Sequence, residues 1–105
     1  MDPDLSDLTI ADVVISTAGR DAGKLFYVLG AEDVWLALAN GKDRTIEKPK
    51  RKKIKHTRKV LRSDTRVAAK LRSGDKVLNS ELRRDLAYLS RELQSEVNEL
   101  WQKTT

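Results

Sequence analysis

The residues with the clearest chemical potential are basic and lie in one fifth of the chain. Residues 42–62 contain eleven Lys and Arg against two acids, Asp43 and Glu47, so this segment has a net charge of +9. The rest of the 105-residue chain has a net charge of −4, and the overall +5 hides this asymmetry. Because repulsion within such a segment is costly unless an anion offsets it, and nucleic-acid phosphate is the usual polyanion, the pattern predicts nucleic-acid binding.

Residues that could support catalysis or metal binding are few. The chain has no cysteine and one histidine, which removes disulfides, thiolate metal sites and cysteine nucleophiles. Residues 19–24, Gly-Arg-Asp-Ala-Gly-Lys, differ from a phosphate-binding P-loop, because three residues separate the glycines and Leu25 replaces the required Ser or Thr. The acids are scattered and no base is paired with a nucleophile. We therefore expect a protein that is not an enzyme and uses no metal or cofactor.

Two parts of the chain are suited to phosphate contacts. Arg20 lies between glycines that tolerate positive φ, so its backbone and guanidinium can approach a phosphate closely. Local pairing of Arg20 with Asp21, which would only stabilise the loop, is the alternative. A dense run of cations, Lys50–Lys53, follows the rigid Pro49. Aromatic residues are only 5% of the chain, which argues against a stacking platform and favours recognition of structured RNA by shape and backbone.

The apolar pattern of the first half predicts strands. Asn40-Gly41 is typical of a hairpin turn, and strands are expected at residues 10–15, 25–29, 34–38, 43–46 and 56–61. Five short strands in about fifty residues predict a small closed barrel over residues 9–62. Phe26 and Tyr27 should point to opposite faces, one to the core and one to solvent. The side chain of Trp35 could face either the core or the solvent.

After residue 62 the apolar period changes to that of helices. A short helix at about 64–72 is expected, with Ser63 or Asp64 as its cap and Gly74 as its end. A long helix at about 80–103 follows, capped by Asn79 or Ser80, with an apolar stripe at Leu82, Leu86, Leu89, Leu93, Val97 and Leu100 and with Trp101 beside it. The two helices form a C-terminal extension, residues 63–105. The long helix is longer than a small barrel is wide, so part of the stripe is expected to overhang and be available to a partner.

Residues 13–60 resemble a KOW motif, the short β-barrel module of several ribosomal proteins and NusG-type transcription factors. The resemblance is carried by Val13-Val14-Ile15, the loop 19–24, Tyr27-Val28-Leu29, Val34-Trp35-Leu36, Asn40-Gly41 and Lys48-Pro49-Lys50-Arg51-Lys52-Lys53-Ile54-Lys55-His56. The segment is similar to KOW-type RNA-binding proteins of the archaeal and eukaryotic large ribosomal subunit and to short bacterial KOW proteins. The resemblance implies an SH3-like barrel that contacts ribosomal RNA through Arg20, Lys24, Lys48, Lys50, Arg51, Lys52, Lys55 and His56.

The predicted protein is a mainly β, SH3-like small barrel followed by a C-terminal helical hairpin, α+β overall. It is expected to bind structured RNA, with ribosomal RNA as the expected target, as a ribosomal or ribosome-associated protein. The density of charge adds five residues to the RNA-binding set: Lys42, Arg44, Lys53, Arg58 and Lys59. Whether it is an integral ribosomal protein or an accessory factor, and whether it prefers RNA to DNA, stay open.

A second hypothesis makes the chain a protein-interaction module of the transcription or translation machinery. The contact would then be made by Leu86, Leu89, Leu93, Val97, Leu100 and Trp101, and a weak dimer through the same helix is an alternative to a monomer. Ribosomal proteins are further expected partners. Residues 1–8 form an acidic arm without the layout of a signal peptide, and the chain has no apolar run of membrane-helix length. A cytoplasmic protein with no membrane partner is the expectation.

Overall fold

The first half of the chain forms one antiparallel sheet and the second half forms two helices. The computed structural model describes the backbone of residues 8–103 and the side chains of residues 8–94, so the predicted acidic arm lies almost wholly outside it. The elements are β1 Asp12–Ser16, β2 Leu25–Glu32, β3 Trp35–Ala39, β4 Lys50–Lys53, β5 Thr57–Arg62, α1 Arg66–Ser73 and α2 Asn79–Lys103. The α+β class expected from the change in period is confirmed.

The sheet is open, and the prediction of a closed barrel is corrected on this point. Its strand order is β4-β3-β2-β1-β5, with β4 and β5 at opposite edges. A single 3-10 turn, Ile54–His56, joins these two edge strands. Four steps of chain reach at most about 14 Å, whereas the outer strands of a flat five-stranded sheet lie about 19 Å apart. The sheet must therefore curl strongly, and the turn bridges its open side in place of a β4–β5 ladder.

Both faces of the curled sheet are covered, which explains an error in the prediction for the two aromatic residues of β2. Phe26 and Tyr27 do point to opposite faces, but both are 0% exposed. Phe26 belongs to a cluster with Val14, Val28, Leu36, Leu38 and Ile54. Tyr27 belongs to a second cluster with Val13 and with Val67, Ala68, Val77, Leu82, Leu86 and Leu89 from the helical half. The helices therefore complete the core of the sheet.

The connection between β3 and β4 differs from the expected tight hairpin. Residues 43–46 are not a strand, and β3 pairs instead with β4, starting ten positions after Asn40. The Asn40 Oδ1 atom accepts bonds from the backbone N–H groups of Lys42 and Arg44, both at 3.0 Å. The N–H of Ile46 donates to Asn79 Oδ1 at 2.9 Å. Because side chains satisfy these backbone donors, the segment does not need a ladder partner.

The two helices begin and end close to their predicted limits. The cap of α1 is Thr65, not Ser63 or Asp64, because its Oγ1 accepts from the Ala68 N–H at 3.2 Å. Gly74, at φ +77°, ends α1 as predicted. Helix α2 begins at Asn79, and Leu82, Leu86 and Leu89 of its stripe are buried. The N-terminal part of the long helix is thus a structural element of the core.

A polar network inside the core connects the sheet to the helices. The Tyr27 hydroxyl bonds to Ser63 Oγ at 2.8 Å and to the Asp85 carboxylate of α2. Thr65 Oγ1 donates to the same carboxylate at 2.8 Å. Burial, followed by the adjacent Asp85, raises the pKa of Tyr27 to about 12 from its ordinary 10.0. The network therefore needs a protonated tyrosine.

This raised pKa predicts loss of stability in alkali. The folded chain holds the Tyr27 proton more tightly than the unfolded chain, so the Tyr27 contribution is complete below about pH 10 and is lost between about pH 10 and 12. Urea denaturation at several pH values should show a steeper alkaline decrease in unfolding free energy for the native chain than for Tyr27→Phe. Tyr88→Phe, which changes a 48% exposed tyrosine, is the control. Identical pH dependence in native and Tyr27→Phe proteins would contradict the assignment.

Candidate nucleic-acid interface

The four consecutive cations of β4 alternate between the two faces of the sheet. Lys50 lies opposite Leu38 and Lys52 opposite Leu36, whereas Arg51 lies opposite Ala37 and Lys53 opposite Trp35. Residues directly opposite each other in a ladder share a face, so Arg51 and Lys53 lie with Trp35, and the other two lie on the face of the Phe26 cluster. The run does not form one continuous face. Because β4 is an edge strand, side chains from both faces can still reach a ligand that lies along that edge.

Lys52 is an internal residue. It is 8% exposed, its Nζ donates to the Ala18 carbonyl at 2.7 Å, and the same atom lies 3.5 Å from the Asp21 carboxylate. Asp21 is itself 9% exposed. The predicted phosphate contact from Lys52 is therefore replaced by a buried ion pair that fastens the loop of residues 19–24 to β4. The partner of Asp21 is Lys52 and not the neighbouring Arg20 that the sequence suggested.

The loop of residues 19–24 closes the β1–β2 hairpin and presents Arg20 to solvent. Gly19 and Gly23 have φ of +78° and +89°, which confirms the expected positive-φ positions. The Gly23 N–H donates to the Ser16 carbonyl at 2.8 Å, so the base of the loop is closed. Lys24 forms an exposed ion pair with Asp43 at 2.9 Å, and this bond lowers the pKa of the Asp43 carboxyl. Of the two predicted loop contacts, Arg20 is exposed and Lys24 is held by a carboxylate.

The other predicted RNA contacts differ in exposure. Lys42, Lys48, Arg51, Lys55 and Arg58 are exposed, and Arg44, Lys50, Lys53 and His56 are half-buried. Lys59 forms an ion pair with Asp12 at 3.4 Å. We use the name basic surface for the predicted RNA contacts that are Lys or Arg and form no ion pair with another described residue: Arg20, Lys42, Arg44, Lys48, Lys50, Arg51, Lys53, Lys55 and Arg58.

Two acids that sequence reasoning did not assign to the site shape the basic surface. Asp12 is 0% exposed and accepts from the Thr9 N–H at 2.9 Å as well as pairing with Lys59. Asp21 neutralises Lys52. A signal for Asp12 was present, since it is an acid within the apolar run Ala11 to Ile15 and a buried acid needs a charged or hydrogen-bonding partner. The sequence could not show that Lys59 would be its partner, because that contact depends on the pairing of β1 with β5.

Two cations of the basic surface lie over the ring of Trp35. Its indole ring is half-buried, and the Arg51 guanidinium carbon lies 4.5 Å from the ring centroid. The Lys53 Nζ lies 5.4 Å from the same centroid. Both distances are within the range of cation–π attraction. The sequence left Trp35 undecided between core and solvent, and the structure places it at the boundary.

The leucine stripe is divided between internal and outer positions. Leu86 and Leu89 are 6% and 8% exposed and belong to the core, so they are not available to a partner in this fold. Leu93 is half-buried beside a groove between α2 and β5 that Tyr88 also lines. The predictions for Val97, Leu100 and Trp101 concern side chains outside the described residues. Among the stripe residues whose side chains the structure describes, only Leu93 is not buried, and the protein contact through this stripe stays a prediction.

Comparison with known proteins does not assign the chain. No family model matches it, and no curated protein matches it. Within residues 8–103, no helix is both long enough and apolar enough to cross a membrane. The candidate interface is therefore defined by its geometry and charge alone.

Proposed function

We propose that the chain binds structured RNA, and ribosomal RNA in particular, through the basic surface, on a sheet of the KOW, SH3-like type. The observation that carries this proposal is the shortage of internal counter-ions. Of the eleven Lys and Arg in residues 42–62, only Lys52 and Lys59 form ion pairs with carboxylates within the described part of the chain. The remaining charge needs an external anion, and a polyanion offsets it most effectively.

The geometry favours backbone contacts over insertion into a groove. The cations of the basic surface lie on the edge strand β4, in the segments before and after it, at the start of β5 and at a loop tip, and none of them lies in α1 or α2. Such long side chains can follow the phosphates of a folded RNA without reading its bases. The loop of residues 19–24 adds Arg20 on a backbone that the Lys52–Asp21 pair holds in place. A guanidinium on a rigid loop suits two-point contact with a phosphate.

A salt titration and a matched pair of variants test this function. Each neutralised phosphate contributes about 0.7 to 0.9 to the slope of log K against log salt, so about five contacts predict a slope near −4. Reversing three exposed cations, in the variant Lys48→Glu, Lys55→Glu, Arg58→Glu, should weaken binding to a ribosomal RNA fragment by about 30- to 100-fold and reduce the slope by about 2 to 3. These positions avoid the buried Lys52.

The control makes the same change in net charge elsewhere. Arg66, Lys76 and Arg84 are exposed residues of the helical half, and reversal of all three to Glu should leave the affinity within a few fold of the native value. Fluorescence anisotropy with labelled RNA measures both variants, and circular dichroism checks their folding. If both triple variants weakened RNA binding equally, the effect would come from net charge alone, and the proposed surface would be refuted.

A further inference from the structure

The strongest unassigned feature of the basic surface is a groove beside Trp35. Its lining includes Gly30, Ala31, Ala37, Trp35 and Arg51, and its volume is about 420 Å³. This volume lies within the range of sites that hold small organic groups. Gly30 leaves one wall open, because a Cβ placed there would meet no atom within 4 Å. The groove therefore offers a flat aromatic and guanidinium surface next to small side chains.

The arrangement of Trp35 and Arg51 is suited to stacking. The Arg51 guanidinium carbon is 4.5 Å from the indole centroid, yet the side chain as a whole remains exposed. A planar guanidinium that rests on an aromatic ring keeps its N–H donors at its edge and can contact a further planar group. Nucleobases stack on both aromatic rings and guanidinium planes. A cation on an edge strand can also serve only to prevent pairing with another sheet. That role does not require a half-exposed tryptophan beside it.

The charges around the groove favour a base over a bare phosphate. Glu32 also lines it and lies directly opposite Trp35 in the β2–β3 ladder. A carboxylate repels a phosphate but accepts hydrogen bonds from the N–H groups at the edge of a base. Pro49 lines the groove as well, and its neighbours Lys48 and Lys50 are members of the basic surface. Cations for the RNA backbone and an acceptor for a base thus lie close together.

We infer that this groove holds one unpaired nucleobase, stacked against the Trp35–Arg51 pair, when the basic surface engages structured RNA. The inference rests on the proposed function and adds a base-dependent contact to it. A single aromatic residue fits an isolated bulged or looped-out base, which agrees with the low aromatic content of the chain. A base presenting adjacent N–H donors, such as guanine, matches Glu32 best.

Intrinsic fluorescence provides a direct test. The chain has two tryptophans, so Trp101→Phe leaves Trp35 as the reporter. This protein is titrated with an RNA hairpin that carries one bulged guanine and with the same hairpin carrying an abasic nucleotide at that position. The guanine hairpin should quench Trp35 and bind about 5- to 150-fold more tightly than the abasic hairpin. Equal quenching and equal affinity would overturn the inference.

Two charge-conserving variants separate stacking from electrostatics. Arg51→Lys keeps the positive charge but removes the planar group, and it should abolish most of the preference for the guanine hairpin over the abasic one. Arg84→Lys, at an exposed arginine of α2 outside the basic surface, should retain that preference. An Arg51→Lys protein with the native preference would overturn the role of the Trp35–Arg51 pair. Absence of salt-dependent binding to either hairpin would instead refute the proposed function itself.

Discussion

Replacement of Lys52 by methionine is expected to lower the free energy of unfolding by about 3–5 kcal/mol. Methionine keeps the length of the side chain and removes its ammonium group. The Ala18 carbonyl then loses the donor at 2.7 Å, and Asp21, 9% exposed, becomes a buried carboxylate without its counter-ion. An isolated charge away from water is the main cost, because the apolar part of the side chain is conserved.

Urea denaturation followed by circular dichroism measures this loss. The matched control is Lys55→Met, which removes an exposed cation nearby and should change stability by less than about 0.5 kcal/mol. The double variant Asp21→Asn, Lys52→Met should recover much of the loss, because it leaves no unpaired ion inside. A stable Lys52→Met protein, or a double variant no better than the single one, would show that the pair is not internal.

Substitution of Gly41 by alanine is expected to destabilise the chain by about 3–5 kcal/mol. Gly41 has φ of +76°, and a Cβ at this position would lie 2.2 Å from the backbone oxygen of Asn79 and 3.0 Å from the backbone nitrogen of Arg83. The first turn of α2 packs on the loop here, and the Arg83 guanidinium donates to the Gly41 carbonyl at 3.2 Å. Helix backbone cannot move aside as a flexible side chain can, so the docking of α2 must be disturbed.

Comparison with Gly23→Ala separates the packing cost of Gly41→Ala from its backbone strain. Gly23 has a similar φ of +89°, but a Cβ there would meet no atom within 4 Å. Its substitution should therefore cost only the backbone strain, about 1–2 kcal/mol. Thermal and urea denaturation of both variants give the difference that belongs to the loop–helix contact. If the two alanine variants lost the same stability, the close approach of α2 to Gly41 would be contradicted.

Local signals predicted most of the elements, because they depend on residues near in sequence. The apolar runs around Val13 and Phe26 indicated strands, and the stripe from Leu82 onward indicated the long helix. Gly19 and Gly23 were expected at positive φ and Gly74 at the end of α1, and the structure has them there. The expected strand at residues 43–46 failed because the side chains of Asn40 and Asn79 satisfy its backbone, and Asn79 is 33 residues away from Ile46. No local pattern could have shown that contact.

The composition of the basic segment likewise indicated a polyanion-binding chain, but not which cations face outward. Lys50, Arg51, Lys52 and Lys53 are equivalent as a sequence run. Their exposure differs because of the ladder with β3. This ladder places Lys52 opposite Leu36, beside Asp21, and places Arg51 on the face of Trp35. A shift of one residue in this register would exchange the two faces.

The sequence by itself determined the α+β class, the helices, the glycine turns and the excess of positive charge, since each follows from composition or from short-range spacing. Only the tertiary structure decided that the sheet stays open, that Lys52 is internal and that the first leucines of α2 belong to the core. Those outcomes depend on strand register and on the docking of distant segments. Both are set by the combined burial of many side chains, and no stretch of the chain encodes them alone.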